Sequence, residues 1–452
     1  MKRLLVCAVL LLESACAVYH PLALDRRAKA PDALTDMSVD AHALAFVPHH
    51  HVFDPSHGLD MTDVAMLAVT NDPQLKLARD ARDIGTAQAF AAGLLPDPVL
   101  DLSRGLSTSG PATSSASGVG LAYDLSALLT HALAKRASAE SRRAVNLTLL
   151  WREWQVVGAS GELFTRTWYG QRELARSRDI VRRLQKVERA LSKAHRHGDA
   201  SLAALDVEQS LLQTMRTRRD RIAQLELASR ERLDALLGLS PRVKLRLRDP
   251  TRTAALSPAR IAADLDELPR RRPDLLALQA GYRSENARYR QAIWQQFPAI
   301  VVGLTRARGT DSVTSRGLTV ALTLPVFSRN RGRIAVARAT RRALHDAYTA
   351  RLIAARSGVQ FIVQDEHLLE QRRRDLAAAV RIAARTLRAL QTHVVRGDVS
   401  LADAQPAALA LYGQQIELLR VEARIEEQQI SLRTLLGEWD AHGHKGVRAT
   451  PP

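Results

Sequence analysis

Residues able to do chemistry are few in this chain and loosely grouped. His49, His50, His51 and His57 stand close together between Pro48 and Gly58. Clustered imidazoles can bind Cu, Ni or Zn. Here they come without cysteine, regular spacing or an expected element to hold a geometry, so a solvated loop that takes up metal adventitiously is favoured and no dedicated metal site is expected. There is no phosphate-cradling glycine loop and no plausible nucleophile and base arrangement, and neighbouring Ser and His of this sort are common by chance. Neither a catalytic residue nor a cofactor is expected. What recurs instead is a turn: Gly198-Asp199-Ala200-Ser201-Leu202 and Gly397-Asp398-Val399-Ser400-Leu401. Glycine there can take the left-handed conformation that ends one helix, while Asp199 or Ser201 can cap the next through a side-chain oxygen.

Long helices must position these turns. Between Pro325 and Pro406 there is no proline, and Gly358 is the only glycine between Gly332 and Gly397. Leu376, Val380, Ala383, Leu387, Leu390 and Val394 step by four and three, a coiled-coil seam, and Leu411, Leu418, Ile425 and Leu432 repeat every seven on the returning arm. At about 1.5 Å per residue the outgoing arm is roughly 100 Å long. A hairpin of that length buries a narrow stripe and needs neighbours along all of it, so it belongs to a bundle or helical tube. Ala127 to about His197 likewise contains no proline, although Gly158, Gly161 and Gly170 count against a straight helix. Leu205, Leu212, Met215, Ile222, Leu233 and Leu236 carry its return.

Before each long helix the hydrophobic period changes from about 3.6 to 2. Leu100, Leu102 and Leu106 alternate with Asp101, Ser103 and Gly105; after a polar loop from Ser107 to Ser117, Val119, Leu121, Tyr123 and Leu125 alternate with small or polar residues. Ile300, Val302 and Leu304 do the same, and beyond a polar loop from Arg306 to Gly317 so do Leu318, Val320, Leu322 and Leu324. Pro73-Gln74-Leu75 returns as Pro273-Asp274-Leu275, and Leu236-Leu237-Gly238 as Leu435-Leu436-Gly437. Matches at strand, turn and helix end with nearly one offset indicate a tandem duplication. The expected units are a first repeat at 59–238, a linker at 239–268, a second repeat at 269–437 and a tail at 438–452. Four strands cannot close a barrel, and open sheet edges are excluded from hydrocarbon because their amides go unpaired. If the strands cross a membrane, several chains must share one barrel; the alternative is a small soluble β-domain on a coiled coil.

The N-terminus reads as a targeting segment. Lys2 and Arg3 precede an apolar run, Leu4 to Leu12, too short to span a bilayer, with Ser14-Ala15 before Cys16. It resembles a bacterial lipoprotein signal: a signal peptide at 1–15, Cys16 acylated, and an extended leader at 16–58. Glu13 departs from that pattern, which prefers an aliphatic residue there; an ordinary cleaved signal or a free thiol is the alternative. Cys7 leaves with the signal, so no intramolecular disulfide is expected. The formal net charge of +18 raises nucleic acid or anionic membrane as partners. The arginines, however, are scattered beside Glu and Asp along helices, which favours solvated helix faces over nucleic-acid binding.

Taken together, Asn71-Asp72-Pro73, Gly93-Leu94-Leu95-Pro96-Asp97-Pro98, Leu268 to Leu275, Phe297-Pro298, Leu324-Pro325-Val326-Phe327 and both Gly-Asp-x-Ser-Leu turns resemble the TolC-type outer-membrane efflux protein family. The resemblance covers roughly Leu59 to Gly437. It implies a mostly α, mixed α/β membrane protein: a homotrimer with a shared 12-stranded β-barrel, four strands per chain, and a long periplasmic α-helical barrel. It implies a passive outer-membrane channel of a tripartite efflux pump, not an enzyme, whose partners are a periplasmic adaptor, an inner-membrane pump of the RND or similar class, and outer-membrane lipid. Gly198, Asp199, Ser201 and Leu202, with Gly397, Asp398, Ser400 and Leu401, become adaptor-docking tips. Asp206 and Asp403 resemble the family's acid after each tip, where a gate role competes with capping or a solvated face. The alternative function is a periplasmic coiled-coil adaptor or structural lipoprotein. That class calls for a lipoyl-like or β-barrel domain flanking one hairpin, whereas this chain has two equivalent hairpins.

Overall fold

The computed structural model describes residues 19–438 apart from 27–29, 38, 40–50, 52, 107–114, 251–252 and 401–402. Cys16, His49, His50, Leu401, the signal segment and all but Glu438 of the tail lie outside the described residues. The elements in order are α1 (Met61–Asn71), α2 (Pro73–Ala92), β1 (Val99–Gly105), β2 (Ala116–Asp124), α3 (Leu125–Arg196), α4 (Leu202–Leu236), α5 (Pro258–Arg271), α6 (Pro273–Trp294), β3 (Ala299–Arg308), β4 (Thr314–Thr323), α7 (Arg331–Arg396) and α8 (Gln405–Leu436).

Local chemistry sets these boundaries. Asp72 ends α1 and starts α2: its carboxylate accepts from the amides of Gln74 and Leu75 at 3.1 and 3.2 Å, and Pro73 takes the first helical position, where a missing N–H costs nothing. Asp124 closes β2 and opens α3, accepting from Ser126 N at 2.9 Å, so the helix begins at Leu125, two residues before the expected start. At 72 residues α3 is roughly 110 Å long.

Gly158, Gly161 and Gly170 do not interrupt α3. A Cβ on Gly158 would stand 2.7 Å from Thr434 Oγ1. Glycine here lets α3 and α8 approach closely, a packing role that outweighs its helix-weakening tendency.

The four strands form one antiparallel sheet in the order β1-β2-β3-β4. The second polar loop is much shorter than expected. Strand β3 runs to Arg308 and β4 starts at Thr314, leaving Gly309–Val313 as the turn, where Gly309 N bonds Val313 O at 2.9 Å. Polar residues at 306–308 and 314–317 belong to the ladder because its hydrogen bonds involve only the backbone. Leu106, conversely, lies past the end of β1.

Two apolar clusters sit where the short helices meet the long ones. Leu59, Val64, Leu67, Phe164, Leu233 and Leu237 form one; Leu268, Leu275, Val359, Ile362, Leu432 and Leu436 form the other. Leu75 and Leu275, Leu233 and Leu432, Leu237 and Leu436 are all fully buried. A third cluster joins the long helices through Ile180, Val181, Leu184, Leu212, Tyr412 and Ile416.

The seam on α7 is half-buried or buried at every expected position, with Leu387 deepest. On α8 the expected stripe is joined by a second row. Leu432 is fully buried and Leu411, Leu418 and Ile425 are half-buried, while Tyr412, Ile416, Val421 and Ile430 are buried beside them. The reason is that α8 packs on both α3 and α7, so its contact face is wider than a two-helix seam. Helix α5 occupies part of the stretch read as linker, with Pro258 at its start and Ser257 Oγ capping Arg260 N at 3.3 Å.

Candidate functional site

Both turns fold as the residue types require. Gly198 and Gly397 have φ of +83° and +84°. Asp199 N bonds Ala194 O at 2.9 Å, and Asp398 N bonds His393 O at 3.0 Å. This six-to-one closure satisfies the last carbonyls of the outgoing helices. A Cβ at either glycine would meet nothing within 4 Å, so glycine is needed for its backbone conformation alone.

Ser201 caps α4, accepting from Ala204 N at 3.1 Å, and Asp199 has no capping bond there. Ser400 accepts from Asp403 N at 3.1 Å and donates to Asp403 Oδ2 at 2.6 Å. His195 Nδ1 lies 2.9 Å from Ala200 O, and His393 Nδ1 lies 3.3 Å from Asp398 Oδ2. The resulting turns expose Gly198, Asp199, Ser201, Leu202, Gly397, Asp398 and Ser400. Leu202, Val207 and Val395 add exposed apolar side chains beside them.

The two candidate gate acids differ. Asp403 is engaged by Ser400, and Asp206 is exposed on α4. The buried acid near the tips is Glu208, whose carboxyl is held above the usual carboxylate range by burial and then by Glu188. Its signal was in the sequence: Leu205, Glu208 and Leu212 share one helix face at three- and four-residue steps. Farther up α4, Asp234 is buried with neither carboxylate oxygen hydrogen-bonded. Burial lifts its pKa to about 6, against the pull of Arg230.

His51 joins a compact ionic cluster. Its Nε2 lies 2.8 Å from Asp63 Oδ1, and Arg248 Nη2 donates to Asp60 Oδ2 at 3.0 Å and Asp63 Oδ2 at 2.9 Å. Asp60 and Asp63 also form a capping box at the start of α1. One nitrogen and two carboxylates within 4.8 Å of one another are a donor set for a cation, but Arg248 already supplies the positive charge. The cluster straps the leader to α1 and to the segment after α4, where Leu59 N bonds Arg246 O and Arg248 N bonds Leu59 O, both at 2.8 Å. His57 instead pairs with Asp54 at the surface.

The sheet has two unlike faces. Leu100, Leu121, Leu304 and Leu318 lie in one register row, and Tyr123, Val302 and Val320 in another. The opposite face carries Asp101, Ser103, Gly118, Gly120, Gly303, Thr305, Gly317 and Thr319. The leucine face is open to solvent in a single chain, as at Leu102 and Leu318, 69% and 68% exposed. At the helix end of the sheet stand Trp294 and Phe297, 5.9 Å apart, and Phe327, all exposed. Among the described residues no helix is long and apolar enough to cross a membrane.

Many helix arginines pair with acids of neighbouring helices. Arg166 reaches Glu427 at 3.0 Å, Arg420 reaches Glu173, Arg372 reaches Glu417 at 2.5 Å and Arg283 reaches Glu140 at 2.9 Å. Pairing of this kind places these arginines on helix faces beside acids, as their scatter along the sequence implies.

Comparison with known proteins agrees with this architecture. Residues 265–438 match the sequence model of the outer membrane efflux protein family. No curated protein matches the chain at a significant level. Among solved structures, a membrane protein from Pseudomonas aeruginosa is similar with 18% identity and a TM-score of 0.72, covering 92% of this chain and 100% of its own. The outer membrane protein VceC from Vibrio cholerae is similar at 16% identity and TM-score 0.70, covering 84% and 96%. The outer membrane channel CmeC from Campylobacter jejuni is similar at 13% identity and TM-score 0.70, covering 95% and 96%. Residues 265–438 thus resemble the outer membrane efflux protein family, and the chain has, over most of its length, the fold of these outer-membrane channels.

Proposed function

We propose that the chain is the passive exit duct of a tripartite efflux system. The observation that carries this reading is the open four-stranded sheet, with one apolar face exposed and with β1 and β4 as unpaired edges. Such a sheet is unstable in water and forbidden in hydrocarbon until its edges are paired. Successive antiparallel pairing leaves β1 and β4 antiparallel to each other. The β4 edge of one copy can thus pair with β1 of the next, and rotation closes an all-antiparallel barrel. Three copies give the 12-stranded barrel that the family resemblance implies, with the glycine-rich face turned to the lumen. The same rotation brings α3, α4, α7 and α8 of each chain into one tube, covering apolar helix residues such as Leu225, Ile353, Phe361, Leu368 and Ile382 that one chain leaves exposed.

On this reading the chain folds as two repeats, 59–238 and 269–437, and Cys16 bears the lipid. The turns at Gly198 and Gly397 are the periplasmic tips, where Asp199, Ser201, Leu202, Asp398, Ser400 and Leu401 meet a periplasmic adaptor joined to an inner-membrane pump. The duct catalyses nothing; opening is imposed at the tips by the partners. Asp206 and Asp403 flank that opening, Asp403 through its bond to Ser400.

Detergent extraction of the outer-membrane fraction, followed by native mass spectrometry, tests this directly. The expected result is a trimer whose chain mass equals residues 16–452 plus acyl groups. A soluble, unacylated monomer or dimer would overturn it.

A further inference from the structure

Every arginine in the four strands lies on the apolar face and at the same end of it. Arg104 follows Leu100 and Leu102 in β1, Arg306 and Arg308 follow Leu304 in β3, and Arg316 precedes Leu318 in β4. These positions are the turn end of the sheet, remote from the long helices. Arg306 and Arg316 are direct partners across the β3–β4 ladder, and Arg104 and Arg308 both pair with Ser117, one from each side. All four are exposed. None makes an ion pair with a carboxylate among the described residues. Asp311 in the adjoining turn accepts from Val313 N instead, and Asp101 faces the opposite side of the sheet.

Like charges directly opposite on neighbouring strands repel, and cationic side chains on a lipid-facing strand are tolerated near an interface rather than at mid-bilayer. Exposed Trp294, Phe297 and Phe327 occupy the other end of the same apolar band, the place of an interfacial aromatic girdle. The band thus has an aromatic border on the helix side and a guanidinium border on the turn side. Arginine matches phosphate geometrically through paired N–H donors, and its aliphatic stem can lie along apolar surface.

We propose that Arg104, Arg306, Arg308 and Arg316 form a ring that binds the phosphate groups of phosphorylated membrane lipids in the leaflet at the turn end of the barrel. The proposal rests on the reading that the strands cross the membrane.

The test uses the purified full-length protein in neutral detergent and native mass spectrometry, with phosphatidic acid and phosphatidylcholine added as competing probes. Wild type should retain phosphatidic acid in preference to phosphatidylcholine, with excess inorganic phosphate failing to displace it. Arg316→Gln should lower that preference about fivefold, and Arg306→Gln with Arg316→Gln about twenty-five-fold. Arg316→Lys keeps the charge but loses the paired donors, so its preference should fall between wild type and Arg316→Gln, and Arg338→Gln on α7 should leave it unchanged. Equal preference in wild type and Gln variants, or displacement by phosphate, overturns the ring while a membrane-extracted trimer in the same spectrum upholds the channel. A soluble chain that retains neither lipid overturns both.

Discussion

Buried Arg272 shows how one residue decides local stability. Its Nε and Nη2 donate to the two oxygens of Asp274 at 2.9 and 2.7 Å, and its Cζ lies 4.6 Å from the Trp151 ring centre. Breaking a buried pair from one side strands the other charge and costs 3–5 kcal/mol. Arg351 also lies 3.5 Å from Asp274, so Arg272→Ala should cost about 3 kcal/mol, at the lower end. Helical circular dichroism during urea unfolding would report it, and Asp274→Asn in the same chain should recover part of the loss.

Asp234 works in the opposite sense. Its folded pKa of about 6 lies above the ordinary 3.8, so the folded state binds the proton more tightly and gains stability as pH falls through 6 toward 4. Above pH 6 the buried charge is a liability. Asp234→Asn should therefore raise stability by about 2 kcal/mol at pH 8 and leave it nearly unchanged at pH 4. Melting curves at the two pH values check this; an equal shift at both would show that the carboxylate charge is not the cause.

At the scale of elements, the long helices depend on close approach and on well-made turns. Gly158→Ala pushes a methyl against Thr434 Oγ1 and should cost 1–3 kcal/mol, as overpacking does. Thr434→Ala removes the obstructing atoms, so the double variant should be more stable than the sum of the singles. Thermal unfolding of the four chains measures that coupling.

At the tips, Gly397→Ala meets no steric neighbour, and its cost of roughly 1–2 kcal/mol comes from the left-handed backbone alone. Ser400→Ala loses both hydroxyl bonds to Asp403 in the turn before α8 and should cost about 1 kcal/mol. Both should speed amide exchange around 393–405 while leaving 150–170 protected, as hydrogen-exchange mass spectrometry would show.

At the scale of the molecule, strands β1 and β4 of one chain are three strands apart, about 14 Å, beyond the reach of a disulfide. Ser103→Cys combined in turn with Thr319→Cys, Ala321→Cys or Thr323→Cys should therefore link chains only to one another. At the matching register a non-reducing gel should show covalent dimer and trimer. Absence of both bands at all three pairings would argue against β4-to-β1 closure.

Much of this organisation was legible in the sequence because the carriers are local. The change from a 3.6 to a 2 period located the strands, Asp72-Pro73 located a helix break, and Gly-Asp-x-Ser located both turns, since caps and left-handed glycines act within a few residues. The second buried row on α8 and the short turn at 309–313 are not legible in the sequence, because one depends on how many helices surround α8 and the other on backbone bonds that side-chain polarity does not report. Only the tertiary structure could pair β2 with β3 across some 180 residues, bring Arg248 to Asp63, set Thr434 against Gly158 and align four arginines on one face. Local residue types fixed where this chain turns and which faces are apolar. Long-range packing decided what those faces meet, because contacts between distant segments depend on shape and register that no single stretch encodes.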